Sequence, residues 1–178
     1  MDKKPRIVTL KGEINEASAM IAIFELLNLD SEDSTQPIYL YINSNGGDVS
    51  YGLAVMDAMN HIKSPVYTVC YGMAASMGSF LLSCGEKGHR YSLPHARILI
   101  HQPRRQMGNN FVGTHDNLDR IAKHLTNTRD ALEKIYSKNT GQPIEKIHED
   151  CEHDRWMSAE EALAYGLIDK VMYPKENN

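Results

Sequence analysis

Apolar residues in this chain recur at two spacings, and the two spacings alternate from the N-terminus onward. Short runs rich in β-branched residues occupy 6–12, 37–44 and 65–72, and each is followed by apolar residues at every third or fourth position. The first pattern is typical of strands and the second of helices. Their alternation predicts a parallel sheet with crossover helices, and therefore an α/β fold. The predicted helices are 15–30, a helix containing Val49, Leu53, Met56 and Met59, and 74–85.

The longest helical pattern, residues 115–138, carries an apolar stripe opposite a charged face. Before it, 90–103 predicts two strands that bend near Pro94, and the glycine- and asparagine-containing stretch 104–114 predicts an irregular strand. Such a stripe usually packs in a core. Because this helix is long for a chain of 178 residues, we expect it to project toward a partner subunit. The stripe consists of Leu118, Ile121, Ala122, Leu125, Leu132, Ile135 and Tyr136.

The C-terminal part predicts two short helices. One begins near Pro143, and the other begins after Ser158, with Glu161 completing a capping box, and ends at Gly166. The chain has no linker, low-complexity tract or repeat, and its 178 residues suit one domain. We therefore expect a single domain over 1–178.

Composition narrows the classes of partner and compartment. A formal net charge of -4 gives no reason to expect a nucleic acid or an anionic membrane as partner. Three cysteines cannot all pair with one another, and Cys70 lies in an apolar run, which favours a reducing compartment. The N-terminus lacks the apolar core of a signal peptide, and no run approaches the ~20 apolar residues of a membrane helix. These features predict a cytoplasmic protein.

Two glycine-containing stretches, 42–47 and 70–76, each run from a predicted strand into a predicted helix. Helix N-termini offer unpaired N–H groups, and glycines let a ligand approach the backbone closely. Ser76 is the hydroxyl-bearing residue at the end of the second stretch, among small and apolar neighbours. If Ser76 attacks a carbonyl, the N–H groups of Met77 and Gly47 are the candidate donors to the oxyanion. Close packing or phosphate binding would explain the glycines equally well, but no phosphate-loop motif is present.

A nucleophilic serine needs a base that titrates near neutrality, and histidine fits best. His101 ends the apolar strand that precedes Gln102, so it lies at the same carboxyl edge of the sheet as Ser76. Asp154 is a candidate to orient His101, but the pattern alone does not choose among several carboxylates. The other candidates are Asp116, Asp150 and Asp169. Four histidines on polar stretches are expected to be solvated: His61, His115, His124 and His148.

Metal and thiol chemistry are weaker alternatives. Four ligand-type residues fall within seven positions, but without the paired spacing that zinc sites use. They are His148, Cys151, His153 and Asp154. Cys84 falls at a predicted helix C-terminus, where the dipole disfavours a thiolate. We expect no metal site and no cofactor.

Four stretches together resemble the proteolytic subunit family of the ATP-dependent Clp protease. They are "YLYINSNGGDV" (39–49), "GMAASMGSFLL" (72–82), "LPHARILIHQP" (93–103) and "DRWMSAEEALAYGLID" (154–169). The resemblance implies a crotonase/ClpP-like spiral of repeated β-β-α units. It also implies a serine endopeptidase acting through an acyl-enzyme. By motif, Ser76 corresponds to the nucleophile, His101 to the base and Asp154 to the third triad member, while the amides of Gly47 and Met77 correspond to the oxyanion hole.

The same resemblance implies an assembly. The family forms two stacked heptameric rings around a chamber, into which a separate AAA+ unfoldase feeds unfolded proteins and peptides. No nucleotide motif occurs here, so ATP would be hydrolysed by the partner alone. The segment 104–138 corresponds to a handle that projects from the body and interlocks the rings.

Some features depart from the family pattern. The family's N-terminal segment has no counterpart here, "NSNGG" replaces the usual "NSPGG", and His153 replaces an arginine that links rings. Three alternatives therefore stay open. The chain could be a catalytically silent ring subunit, a phage-type or signal-peptide-processing relative that acts without an ATPase, or a coenzyme-A enzyme of the wider fold.

Overall fold

The computed structural model describes residues 5–104 and 114–174. Within these ranges, strands and helices alternate along the chain, which confirms the α/β class. The elements are β1 (Ile7–Ile14), α1 (Glu16–Glu32), β2 (Ile38–Gly47), α2 (Val49–His61), β3 (Val66–Ala75), α3 (Met77–Ser83), β4 (Arg90–Ser92), β5 (Arg97–Ile100), α4 (His115–Thr140), α5 (Ile144–Asp150), β6 (Arg155–Met157), α6 (Ala159–Tyr165) and β7 (Lys170–Val171).

The sheet runs in the order β1-β2-β3-β4-β7, and β5 and β6 branch from it. Strand β3 pairs with β4 through Thr68–Cys70 and, farther along, with β5 through Met73–Ala75. The predicted bend near Pro94 therefore separates two short strands that use successive parts of one edge. The described strand pairs are parallel, as predicted, except that β6 is antiparallel to β5.

Two predicted strand ends differ from the structure because strand pairing continues through the glycine-containing stretches. Strand β2 continues to Gly47, which pairs with Ile14, although the predicted strand ends at residue 44. Strand β3 extends to Ala75, which pairs with Leu99, so helix α3 begins at Met77 rather than at residue 74. The helix also ends at Ser83, before the predicted stop at Gly85.

Helix α4 confirms the predicted long helix, but its two halves differ in burial. Leu132 and Tyr136, near its C-terminus, pack in the core, whereas Leu118 is 45% exposed. The apolar stripe is therefore covered only along the C-terminal half. The irregular strand predicted before this helix falls mostly at 105–113, outside the described residues. The predicted capping box at Ser158 is present.

A buried ion pair fixes the C-terminal strand against the middle of the sheet. Arg90 is 1% exposed and donates two hydrogen bonds to the Asp169 carboxylate, from Nε at 2.8 Å and from Nη2 at 2.6 Å. Burial would raise the pKa of Asp169, but hydrogen bonds and the charge of Arg90 outweigh it and hold that pKa below its usual value. The folded state therefore favours the charged carboxylate.

Asp169→Asn should destabilise the fold by about 3 kcal/mol, because it leaves a buried guanidinium without its counter-charge. Denaturant unfolding at neutral pH measures this cost. The matched control, Lys87→Gln, removes an exposed cation 3.9 Å from the same carboxylate and should cost less than about 1 kcal/mol. The native protein should be more stable than Asp169→Asn above the pKa that Asp169 has in the unfolded chain. This difference in stability should be lost as the pH falls through the pKa of Asp169 in the folded protein. Equal costs for the two variants would contradict the assignment.

Candidate active site

Ser76 lies in a strained turn between β3 and α3. Its φ of 56° and ψ of -123° make it the one non-glycine residue with positive φ in the described ranges. Such a conformation costs about 1–3 kcal/mol and persists only where its surroundings enforce it. Here the Ser76 N–H donates to the Leu99 carbonyl at 3.0 Å, and the Ser76 carbonyl accepts from the Phe80 N–H at 3.0 Å. These two bonds hold the residue between the end of β5 and the first turn of α3.

The end of β2 packs directly against this turn. A Cβ built on Gly46, whose φ is 91°, would lie 2.6 Å from the Ser76 Cβ and 3.1 Å from the Met77 nitrogen. The Ser44 hydroxyl supports this approach, since it donates to the Gly12 carbonyl at 2.5 Å and accepts from the Gly46 N–H at 3.0 Å. The two glycine-containing stretches that the sequence singled out therefore meet.

The direction of the Gly47 amide follows from its strand. The neighbouring Asp48 N–H donates to the Ile14 carbonyl on β1 at 2.8 Å. Because successive N–H groups of a strand point to opposite edges, the Gly47 N–H is directed away from β1, toward the side on which β3 and Met77 lie. The amides of Gly47 and Met77 thus belong to two backbones in close contact.

His101 follows β5 directly and shares a cavity with Ser76. The cavity measures about 20 Å³, and Val49, Met77 and Pro103 also line it. The Gln102 N–H donates to the Cys151 carbonyl at 2.7 Å. This bond brings the segment that contains Asp154 beside the histidine. The structure therefore gathers all five of the residues predicted for the site at one end of the sheet.

The electrostatics of His101 favour a neutral imidazole. Its Nδ1 atom is buried without a hydrogen-bond partner among the described residues and lies 3.6 Å from Asp154 Oδ1. Burial and the positive charge of Arg104 lower the pKa of His101, and the Asp154 carboxylate only partly opposes them. Arg104 itself forms an ion pair with the same Asp154 oxygen. A histidine held neutral in this way is able to accept a proton.

The other carboxylates that the pattern left open lie elsewhere. Asp150 forms ion pairs with Lys146 at 2.9 Å and Arg155 at 2.7 Å, and Asp169 binds the buried Arg90. Asp116 lies in the exposed first turn of α4. Of these four carboxylates, which all lie in the described ranges, Asp154 is the one that approaches His101. This proximity is non-local, because it depends on the antiparallel pairing of β5 with β6.

The residues weighed for other chemistry do not assemble into a site. The described residues contain no group of three or more side chains of ligand type that could hold a metal ion. Burial raises the pKa of the Cys84 thiol to about 12, which keeps it protonated. His148 is exposed, as expected, and its Nδ1 atom also lies 2.9 Å from the Glu133 carboxylate. Across the described ranges, none of the helices has the length and apolar character needed to cross a bilayer.

Sequence reasoning missed two side chains near the site. Tyr136 belongs to the predicted apolar stripe, yet its hydroxyl reaches the Ser76 carbonyl oxygen at 3.4 Å. Arg104, three residues after His101, pairs with Asp154. A tyrosine within an otherwise aliphatic stripe was the available signal for the first, whereas an exposed arginine gives no such signal.

The fold and the site together define an α/β protein with a serine on a strained strand-to-helix turn, beside a histidine. The family model described as "Clp protease" matches residues 3–175. The chain belongs to the Clp protease family.

Relatives named "ATP-dependent Clp protease proteolytic subunit" share about half of the residues of this chain. The protein of Streptococcus agalactiae serotype V (strain ATCC BAA-611 / 2603 V/R) is 52% identical over 176 residues, which cover 98% of this chain and 87% of the relative. That of Streptococcus pneumoniae (strain 70585) is 50% identical over 170 residues, with coverages of 95% and 85%. That of Streptococcus thermophilus (strain ATCC BAA-491 / LMD-9) is 51% identical over 170 residues, with the same coverages.

Gly46→Ala should force the two backbones apart and cost about 2 kcal/mol more than a matched glycine substitution. The match is Gly88→Ala, since Gly88 has a φ of 88° but no atom within 4 Å of the position that a Cβ would occupy. The strain of a left-handed residue, about 1 kcal/mol, is common to both variants and cancels in the difference. Chemical denaturation of the two proteins gives this difference, and similar stabilities would show that the turns do not press on each other.

Proposed function

We propose that this chain is a serine endopeptidase of the Clp type, with Ser76 as nucleophile, His101 as general base and Asp154 as the residue that orients His101. The observation that carries the proposal is the turn at Ser76, a strained residue packed against Gly46 and facing the same cavity as His101. Membership of a protease family gives this geometry its chemical meaning.

The proposed reaction has two halves. His101 removes the hydroxyl proton of Ser76 as its oxygen bonds to the peptide carbonyl carbon, and the N–H groups of Gly47 and Met77 stabilise the oxyanion. The C–N bond then breaks, and His101 returns the proton to the leaving amine. Water hydrolyses the resulting ester with His101 again as base. Asp154 orients the imidazole and stabilises its charged form. To do so, the Asp154 carboxylate must either contact Arg104 and His101 together or leave Arg104.

The proposal extends to the assembly that relatives of this family form. We propose a chain of one domain over 1–178 that assembles with copies of itself into stacked heptameric rings, with 104–138 as the handle between rings. The exposed Leu118 on α4 supports a partner along the handle. A separate AAA+ unfoldase would supply unfolded proteins and peptides and would hydrolyse the ATP. The cytoplasm is the proposed compartment, and the chain itself needs no cofactor under this proposal.

Ser76→Ala should remove peptidase activity and leave assembly unchanged. Incubation of the native protein with a fluorophosphonate, followed by mass spectrometry, should find the adduct on Ser76. The matched control is Ser31→Ala, on the exposed face of α1, which should label and cleave peptides as the native protein does. Turnover that persists in Ser76→Ala, or a native particle that takes no label, would refute the proposal. The second result would favour the silent ring subunit.

Arg104→Gln should raise the apparent pKa of the acid limb of kcat/KM. Burial first, and next the charge of Arg104, hold the pKa of His101 below its usual value, so loss of that charge makes the imidazole easier to protonate. The base is active when neutral, and the variant should therefore lose activity at a higher pH than the native protein. Profiles from pH 5 to 9, with the exposed Arg97→Gln as control, measure the change. A limb that stays in place or moves to lower pH would contradict this account.

A further inference from the structure

The hydroxyl of Tyr136 lies next to the Ser76 turn. Core packing of the apolar stripe would need only the ring of this tyrosine, not its hydroxyl. Tyr136 is 4% exposed on α4, and its hydroxyl lies 3.0 Å from the Ser79 hydroxyl and 3.4 Å from the Ser76 carbonyl oxygen. The ring packs edge-on against Phe80 with centroids 5.5 Å apart, which fixes its orientation. Burial raises the pKa of Tyr136 well above its usual value, so the hydroxyl keeps its proton and has one hydrogen bond to donate.

The protons at Ser79 determine the direction of the hydrogen bonds. The Ser79 hydroxyl has one proton and two carbonyl neighbours, Leu99 at 2.5 Å and Ser76 at 2.8 Å. The shorter contact takes this proton, so Ser79 donates to Leu99 and its oxygen is free to accept from Tyr136. A chain of hydrogen bonds therefore runs from Tyr136 through Ser79 to the Leu99 carbonyl. That carbonyl also accepts the Ser76 N–H at 3.0 Å.

We infer that Tyr136 is a positioning residue for the nucleophile, because its hydroxyl acts through Ser79 to hold the Ser76 turn against the end of β5, the strand that precedes His101. The inference rests on the proposed function of Ser76 and His101. It adds to that function a residue of α4 that does not take part in proton transfer.

The consequence for catalysis lies in the distance between nucleophile and base. The Ser76 turn is strained, so a loss of support lets its backbone relax and carries the hydroxyl away from His101. A displacement of about 1 Å at a reacting group can cost on the order of 10²-fold in rate. Loss of one buried hydrogen bond, with the ring still in place, should cost less than this.

The test is Tyr136→Phe, which removes the oxygen and keeps the ring. We expect kcat on a fluorogenic peptide to fall about ten-fold, which corresponds to the loss of one buried hydrogen bond, with KM within about two-fold of the native value. The rate of fluorophosphonate labelling at Ser76 should fall in proportion, and the acid limb of the pH profile should stay in place. Ser79→Ala interrupts the same chain and should give a similar loss. The double variant should be no slower than the slower single variant, because the two residues act as a unit.

The matched control is Tyr165→Phe. Tyr165 is 5% exposed, and its hydroxyl donates to Asp150 at 2.7 Å rather than to Ser79 or the Ser76 turn. Both tyrosine substitutions should lower the midpoint of thermal unfolding. Only Tyr136→Phe should lower kcat, when both variants are assayed as particles of native size well below that midpoint. A kcat of native size in Tyr136→Phe would overturn the inference, and so would equal losses of kcat in the two tyrosine variants. If Tyr136→Phe does not fold, a kcat of native size in Ser79→Ala would overturn it. A native protein that takes no label would instead refute the proposed function.

Discussion

The hydrogen bond from the Ser76 N–H to the Leu99 carbonyl is the constraint on which the site depends. Ala75 and Leu99 form the last pair between β3 and β5, and β5 ends one residue later, so Ser76 and His101 both leave the sheet at the same edge. The bond then holds the first of these residues in a backbone conformation that an isolated serine would not keep. Ser76 and His101 are neighbours because two strands end together, although they are far apart in sequence.

Charge adds a second constraint to this geometry. Burial and Arg104 both oppose protonation of His101, and Asp154 favours it. A general base must be neutral before reaction and stabilised as a cation during it, so in the proposed mechanism these opposing influences would serve different stages. The side chains of Arg104 and Asp154 are 63% and 45% exposed, so their ion pair is screened by solvent and weak. Asp154 can therefore exchange Arg104 for a protonated His101 at small cost.

Local patterns in the sequence predicted most elements, whereas pairing between distant strands determined the rest. The capping box at Ser158 and the long helix α4 depend on neighbouring residues, and both occur as predicted. The predicted end of β2 at residue 44 and the predicted start of α3 at residue 74 were wrong, because pairing with β1 extends β2 to Gly47 and pairing with β5 extends β3 to Ala75. Asp154 could not be chosen by pattern, since its nearness to His101 follows from the pairing of β5 with β6. Helical spacing places Tyr136 in the apolar stripe, and only the position of its hydroxyl indicates a further function.

Helix α4 joins the two parts of the proposed function. Its 26 residues span roughly 39 Å at 1.5 Å per residue, with the exposed Leu118 near one end and the buried Tyr136 near the other. An α-helix is stiff along its axis, so a contact that shifts the exposed half also displaces the tyrosine hydroxyl. That hydroxyl contacts Ser79, whose own hydroxyl reaches the Leu99 carbonyl. The Ser76 N–H binds that same carbonyl. A partner that packs on the exposed half of the helix would therefore stabilise the distance between the proposed nucleophile and base. Assembly and catalysis would then be coupled through one helix.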